Sequence, residues 1–273
     1  GALLNQLTQM DGFIHVVRCF EDDAVPHPQG SIDPARDLAI MDAEFILNDL
    51  IAVERKLERL AEERQKGGGR DRAVIEREMA LFERLGQALN AEIPLRDIDI
   101  SAEEEKILSG FGFLSRKPVL VVLNLAEGQA APEIPYPHRN SQVVALQGKL
   151  EMEIAQLPPE DAKLFLAEYG IEEPSLNRMI RLSYDLLGLQ SFFTVGPDEV
   201  RAWTVKRGAT APEAAGEIHT DLQKGFIRAE VISYDDLVSL GGMAEARARG
   251  KLRLEGKEYV VQEGEIVHIR HSG

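Results

Sequence analysis

Asn124-Leu125-Ala126-Glu127 follows directly on the apolar run VLVVL at residues 119–123, and that placement gives the tetrapeptide a possible chemistry. A side-chain amide pairs a hydrogen-bond donor with an acceptor. Adenine presents a matching edge, an amine donor beside ring acceptors. In guanine-reading domains the same position usually holds Asn-Lys-x-Asp, whose Asp accepts from guanine N1 and the exocyclic amine. Leu125 in place of Lys and Glu127 in place of Asp argue against guanine. Taken alone, Asn124 can equally be read as a residue that simply ends a strand.

Other chemistry-bearing residues are more dispersed. Arg201, Lys206, Arg207, Lys224 and Arg228 fall within one short stretch and can be read as an RNA-facing patch or as scattered surface charge. Trp203 can stack on a base or fill a core. His268 and His271 lie three apart near the terminus with no third ligand beside them, so no metal site is predicted. His219 within EIHTD reads as a packing or locally hydrogen-bonded residue. Cys19 stands alone, which excludes an internal disulfide and suits a reducing cytoplasm. It reads as a small buried hydrophobe.

The elements that must position these residues follow from periodicity. Residues 13–20 (FIHVVRCF) and 119–123 are short apolar runs rich in branched residues, and 142–146 is a third candidate. Runs without alternation predict strands covered on both faces, as in parallel α/β sheets. Ligands bind such sheets beyond the carboxyl ends of the strands, which directs attention to the residues after Phe20, Asn124 and Leu146. A helix over Leu3, Leu4, Leu7 and Met10 precedes the first strand.

Asp33-Pro34 supplies an N-cap and a first-turn proline. Leu38, Met41, Phe45, Val53, Leu57 and Leu60 then recur at helical spacing, and Ile75, Met79, Phe82, Leu85 and Leu89 do so after Gly67-Gly68-Gly69. Two antiparallel helices joined by a glycine turn are predicted, a helical hairpin or short coiled coil. The last third differs. Short strand-like runs at 191–195, 200–206, 230–233, 259–261 and 266–269 are punctuated by Gly196-Pro197, Gly208, Gly256 and Gly264, with a helix over 211–222 stopped by Gly225. A hairpin, a helix across it and returning strands make a β-grasp layout.

The 273 residues are enough for two or three domains. Net charge is -15, which opposes unspecific attraction to phosphate backbones. Residues 190–273 carry 11 Lys and Arg against 13 Asp and Glu, so the acidity sits in the rest of the chain and nucleic-acid contact is expected in this last part. No DNA specificity is evident. No apolar run approaches the roughly 18 residues of a membrane span, and no membrane partner is expected.

The combination of HVVRCF, SIDPARDL (31–38), the NLAE tetrapeptide and VRAWTVKRGATAPEAAGEIHTDLQKGFIRAEVI (200–232) resembles the YchF/Obg-like ATPase family over nearly the whole chain. The resemblance implies a TRAFAC-class P-loop NTPase domain built on a parallel sheet, interrupted by a helical domain and followed by a TGS domain, a ubiquitin-like β-grasp module. It divides the chain into a first G-domain segment at 1–32, a helical insertion at 33–116, a second G-domain segment at 117–189 and TGS at 190–273. It implies ATP in preference to GTP, slow hydrolysis with Mg²⁺, a cytoplasmic location and a ribosomal partner reached through the TGS and helical domains. By similarity Asn124 meets the adenine edge and Leu125 helps form the base slot. His27, in EDDAVPHPQG, falls at the proposed catalytic histidine, where an imidazole can orient or deprotonate water.

Three departures from the family pattern bear on activity. No G-x-x-x-x-G-K-[ST] occurs, so the phosphates have no cradle in this chain and it is expected to be inactive alone. By the family layout, Gly1 begins inside a helix beyond the missing amino-terminal P-loop portion. Gln147 stands where a small residue is usual and would reshape the base side of the pocket. Residues 128–141 are short and proline-rich, so the helix customary there is expected to be missing. The alternative function is a non-enzymatic TGS and helical adaptor that binds RNA or the ribosome.

Overall fold

The computed structural model describes residues 2–66, 69–196 and 198–272. Gly67 and Gly68 of the predicted glycine turn, Pro197 of the Gly196-Pro197 turn, and the terminal Gly1 and Gly273 lie outside the described residues. The chain forms two compact units, Gly1–Leu182 and Ser183–Gly273.

The first unit runs α1 (Ala2–Leu7), β1 (Phe13–Arg18), α2 (Pro34–Lys66), α3 (Arg72–Asn90), a 3₁₀ turn (Leu95–Asp97), α4 (Ala102–Leu108), β2 (Val119–Asn124), β3 (Ser141–Leu146), α5 (Gly148–Ile154) and α6 (Pro159–Glu168). Helix α7 (Ser175–Leu187) contains the division point. The three strands are all parallel in the order β1-β2-β3, with Arg18, Asn124 and Leu146 in register at their carboxyl ends. Val17, Val119, Val121 and Leu123 pack with Leu38 of α2.

Only β2 is covered on both faces. Its residues 119–123 are all buried, whereas Ile14 and Val16 on the outward face of β1 are 51% and 59% exposed. Successive side chains of a strand point to opposite faces. At β1, an edge strand of this sheet, the unbroken apolar run therefore marks one buried face and one open face. Residues 125–140 carry no helix, as their length and prolines predict.

Helix α2 starts where Asp33 Oδ1 accepts from the Arg36 amide at 3.0 Å. Asp71 caps α3 in the same manner, accepting from Ala73 at 2.9 Å. The apolar stripes of α2 and α3 meet through Ile46, Val53 and Leu60 against Ile75, Phe82, Leu85 and Leu89. Fully buried Asp49 on α2 accepts from the Leu114 and Ser115 amides and the Ser115 hydroxyl at 2.6–2.8 Å, anchoring the hairpin to the loop before β2. Burial raises its carboxyl pKa, and those hydrogen bonds oppose the shift.

The second unit holds β4 (Leu189–Val195), β5 (Val200–Lys206), α8 (Ala211–Ile218), α9 (Thr220–Lys224), β6 (Phe226–Ile232), α10 (Tyr234–Leu240), α11 (Met243–Ala248), β7 (Arg253–Glu255) and β8 (Ile266–His271). Strand order is β5-β4-β8-β6-β7, with the central β4 and β8 parallel and the other pairs antiparallel. That is a β-grasp sheet. Phe192, Val205, Ala214, Ala215, Phe226 and Val267 form the core under α8.

Three local expectations change. The helix predicted over 211–222 breaks at His219, whose backbone is extended (φ -165°) and whose ring nitrogen Nδ1 accepts from the Asp221 amide at 3.2 Å to cap α9. The run at 230–233 is the end of a longer strand beginning at Phe226. The run at 259–261 reaches only an isolated bridge between Thr210 and Val260.

Candidate functional site

The carboxyl ends of β1, β2 and β3 bring the loop after each strand to one edge of the parallel sheet. The Cys19 amide donates to the Asn124 carbonyl and the Leu125 amide to the Leu146 carbonyl, both at 2.9 Å, so the ladder continues one residue past Asn124 on each side. Asn124 Oδ1 accepts from the Gly148 amide at 3.1 Å. A Cβ at residue 148 would stand 2.7 Å from that oxygen, so a side chain there would force the Asn124 amide to turn away. Among the described residues the Asn124 Nδ2 group has no partner and keeps both its hydrogens to donate.

Leu125 is 6% exposed and forms a wall. Gln147 Oε1 accepts from the Gly128 amide at 2.9 Å, where Gly128 takes a left-handed conformation (φ 69°). Glu127 Oε1 accepts from the Tyr169 hydroxyl at 3.1 Å, and that carboxylate raises the phenol pKa. Gln129 closes the turn: its Oε1 accepts from the Ala126 amide at 2.8 Å and its Nε2 donates to the Cys19 carbonyl at 2.5 Å. Together these bonds pre-order the loop. Beside it opens a cleft of about 400 Å³ lined by Leu125, Ala145, Gln147, Glu151, Ile171 and Arg178.

Leu125 and Gln147 line this cleft, whereas Asn124, bonded to Gly148, and Glu127, bonded to Tyr169, lie in the same strand-end loops but not in its wall. A slightly larger cleft, about 440 Å³, lies by the amino end of β2 with Pro118, Lys117, Arg96 and Arg139 in its wall. The strand-end cleft is the better candidate, because loops after parallel strands vary freely while the sheet beneath them stays rigid.

His27 lies in the loop between β1 and α2, with both ring nitrogens engaged. Nδ1 accepts from the Gln29 amide at 3.1 Å, and Nε2 sits 2.9 Å from Asp37 in the first turn of α2. An imidazole holding Nε2–H against a carboxylate and Nδ1 as acceptor has a defined tautomer. Arg36 also reaches Asp37 at 2.8 Å. Arg18 fixes the loop itself by donating to the Phe20 carbonyl at 2.9 Å and the Val25 carbonyl at 2.6 Å. Among the described residues no three His, Cys, Asp or Glu groups gather as a metal site.

The five basic residues that the sequence singles out in the second unit do not converge on one another. Arg201 stacks over the Trp203 ring at 4.2 Å, and Trp203 donates to Thr194 at 2.9 Å while packing on the core. Lys206 ends β5, Arg207 pairs with Asp185, and Lys224 ends α9. Arg228 lies on β6, separated from β5 by β4 and β8. His268 is exposed on β8.

Sequence reasoning missed Gln129, Tyr169, Arg18 and Asp37. Asp37 had a local signal, an acid in a predicted first helical turn. Tyr169 had none, since it meets Glu127 from 42 residues away.

A family model described as YchF-GTPase_C, a protein of unknown function (DUF933), matches residues 189–272. The chain is 41% identical over 282 residues to the "Ribosome-binding ATPase YchF" of Bacillus subtilis (strain 168), covering 98% of this chain and 75% of that protein. It is 32% identical over 283 residues to "Obg-like ATPase 1" of Caenorhabditis elegans, covering 100% of this chain and 71% of that protein. The solved structure of the Schizosaccharomyces pombe YchF GTPase superposes with a TM-score of 0.84 at 30% identity, covering 99% of this chain and 75% of that one.

Proposed function

This chain belongs to the YchF/Obg-like ATPase family, and we propose that it is the base-reading and ribosome-associating part of an adenine-nucleotide-dependent protein of the cytoplasm. Nucleotide binding and ribosome association rest on relatives named as ribosome-binding ATPases. The observation that supports ATP in particular is the state of Asn124. Its Oδ1 is spent on one hydrogen bond to Gly148 but retains a second lone pair, and Nδ2 is free. That amide can donate to purine N7 and accept from the exocyclic amine of adenine. At the same place guanine has an oxygen, which would face oxygen.

Leu125 and the cleft beside it suit the flat face of a base, and Gln147 narrows that side by holding Gly128. His27 is the candidate for orienting water, a role that requires one of its two ring contacts, the Gln29 amide on Nδ1 or Asp37 on Nε2, to open first. Asn124 is not in the wall of that cleft, so the reading of the base rests on its side-chain amide. The sequence carries no P-loop signature to hold phosphates and Mg²⁺, so the chain by itself is expected to bind nucleotide weakly and not to hydrolyse it.

The test is calorimetric titration of the chain with ATP and with GTP. A good bidentate contact discriminates by about 1–3 kcal/mol, so ATP should bind roughly tenfold or more tightly. Equal affinities would remove the role given to Asn124. In a longer form of the protein that carries a P-loop, His27→Ala should slow turnover by about 10²-fold or more without weakening ATP binding. Unchanged turnover would return His27 to an ordinary loop residue.

A further inference from the structure

The outward face of the β-grasp sheet carries three guanidiniums around one carboxylate. On β6, Ala229 and Val231 face the core beneath α8, so Arg228 and Glu230 point the other way. Val267 and Ile269 do the same on β8, turning His268 and Arg270 outward. The antiparallel register sets Arg228 directly opposite Arg270 and Glu230 opposite His268. Glu230 is 6% exposed. Arg270 reaches it across the strands, and Arg247 reaches it from α11 at 3.4 Å.

One buried carboxylate therefore serves two arginines, and the exposed side chain of Arg228 makes no hydrogen bond or ion pair among the described residues. Like charges opposite one another on a sheet destabilise it. A local rule broken without an internal partner marks a place that answers to something outside the fold. The guanidinium fork matches phosphate oxygens two at a time, and strands hold the forks at fixed spacing.

We propose that this face, centred on Arg228, Arg247 and Arg270, binds the phosphodiester backbone of structured RNA. The inference rests on the ribosome-association reading above and gives it a location. Charge complementarity selects the occupant. The whole chain is at -15 and repels phosphate at a distance, so binding needs a local cationic excess. The sheet face supplies one, and its positions report on backbone phosphates rather than base identity. It differs from the grouping suggested by sequence alone, because Arg201 is committed to Trp203 and Arg207 to Asp185.

The test measures binding of the 273-residue chain to a short RNA duplex and, separately, to purified ribosomes, across a salt series. Removing one arginine that neutralises a phosphate should flatten the plot of log affinity against log salt by about 1. Arg228→Gln should therefore reduce the slope by about 1 and Arg228→Gln with Arg270→Gln by about 2, with ribosome co-sedimentation weakened in parallel. Arg228→Gln removes no internal bond, so the variant keeps the fold. Arg249→Gln is the control, since Arg249 pairs with Glu245 along α11 at 2.7 Å, and it should leave the slope unchanged.

A slope indifferent to Arg228 and Arg270 overturns the proposal while leaving ribosome association intact. Abolished ribosome binding in the double variant with no change on RNA also overturns it, because the face would then meet a protein. An arginine-dependent slope on RNA by a chain that ignores ribosomes would uphold the RNA face and defeat the ribosomal reading.

Discussion

In the first unit every residue of β2 from Val119 to Leu123 is at most 2% exposed, whereas in the second unit β6 alternates Arg228 and Glu230 outward with Ala229 and Val231 inward. The two sheets therefore place their polar groups differently. A strand buried on both faces has no room for a functional side chain until it ends, and Asn124 stands at that end. On the outward face of β6 Arg228 is exposed, Glu230 is buried beneath Arg247 and Arg270, and Ile232 is buried with Ala246 of α11, so charge is presented at one end of the strand. The proposed nucleotide-reading role accordingly falls in the loops beyond the parallel sheet, and the proposed RNA-binding role on the outward face of β6 and β8.

The largest expected effect tests whether the two units keep separate cores. Phe192 is fully buried in the core under α8, and Phe192→Ala should cost about 3–5 kcal/mol. Hydrogen exchange should show reduced protection across residues 183–272, with the amides of α2 and α3 unchanged. Equal reduction in both units would break the comparison.

Gly148→Ala sharpens the strand-end side of it. The added Cβ would meet Asn124 Oδ1 at 2.7 Å and turn the amide out of position. ATP affinity should fall by about 1–3 kcal/mol together with the preference over GTP, while thermal melting moves little. Retained selectivity would show that Asn124 does not read the base.

The smallest effect concerns His15, on the face of β1 turned to α2. Burial lowers its pKa, with Asp42 and Asp37 opposing the shift. A folded value below the ordinary 6.5 means that the contribution of neutral His15 to stability is fully present above pH 6.5 and is lost as pH falls through the folded value. Denaturant unfolding followed from neutral to acid pH should show this decline, and His15→Gln should flatten it. An unchanged acid limb would assign the decline to other groups.

Much of this architecture was legible because its signals are local. The VLVVL run, the capped start at Asp33-Pro34 and the helical repeat through Phe82 and Leu89 each carry their own period or punctuation, and the elements formed where they predict. Ile14 and Val16 show the limit, since an apolar run does not reveal which face will be covered. His219 shows another: a helical pattern of Ala214, Ala215, Ile218 and Leu222 runs through it, but its side chain caps a new helix and splits the old one. The base loop was half legible. Asn124, Leu125, Glu127 and Gln147 were visible as residue types after strands, while Tyr169 and the Gln129 contact to Cys19 had no signal because those partners are distant in sequence.

The sequence by itself determined the main strands, the α2–α3 hairpin, the parallel and β-grasp classes and the family, since hydrophobic period, turn residues and motif spelling are properties of neighbours along the chain. Only the tertiary structure decided which groups meet. Asn124 with Gly148, His27 with Asp37, and Arg228 with Arg270 rather than with Arg201 all follow from strand order, register and loop closure. Those pairings bring together residues whose separation along the chain carries no trace of their distance in space.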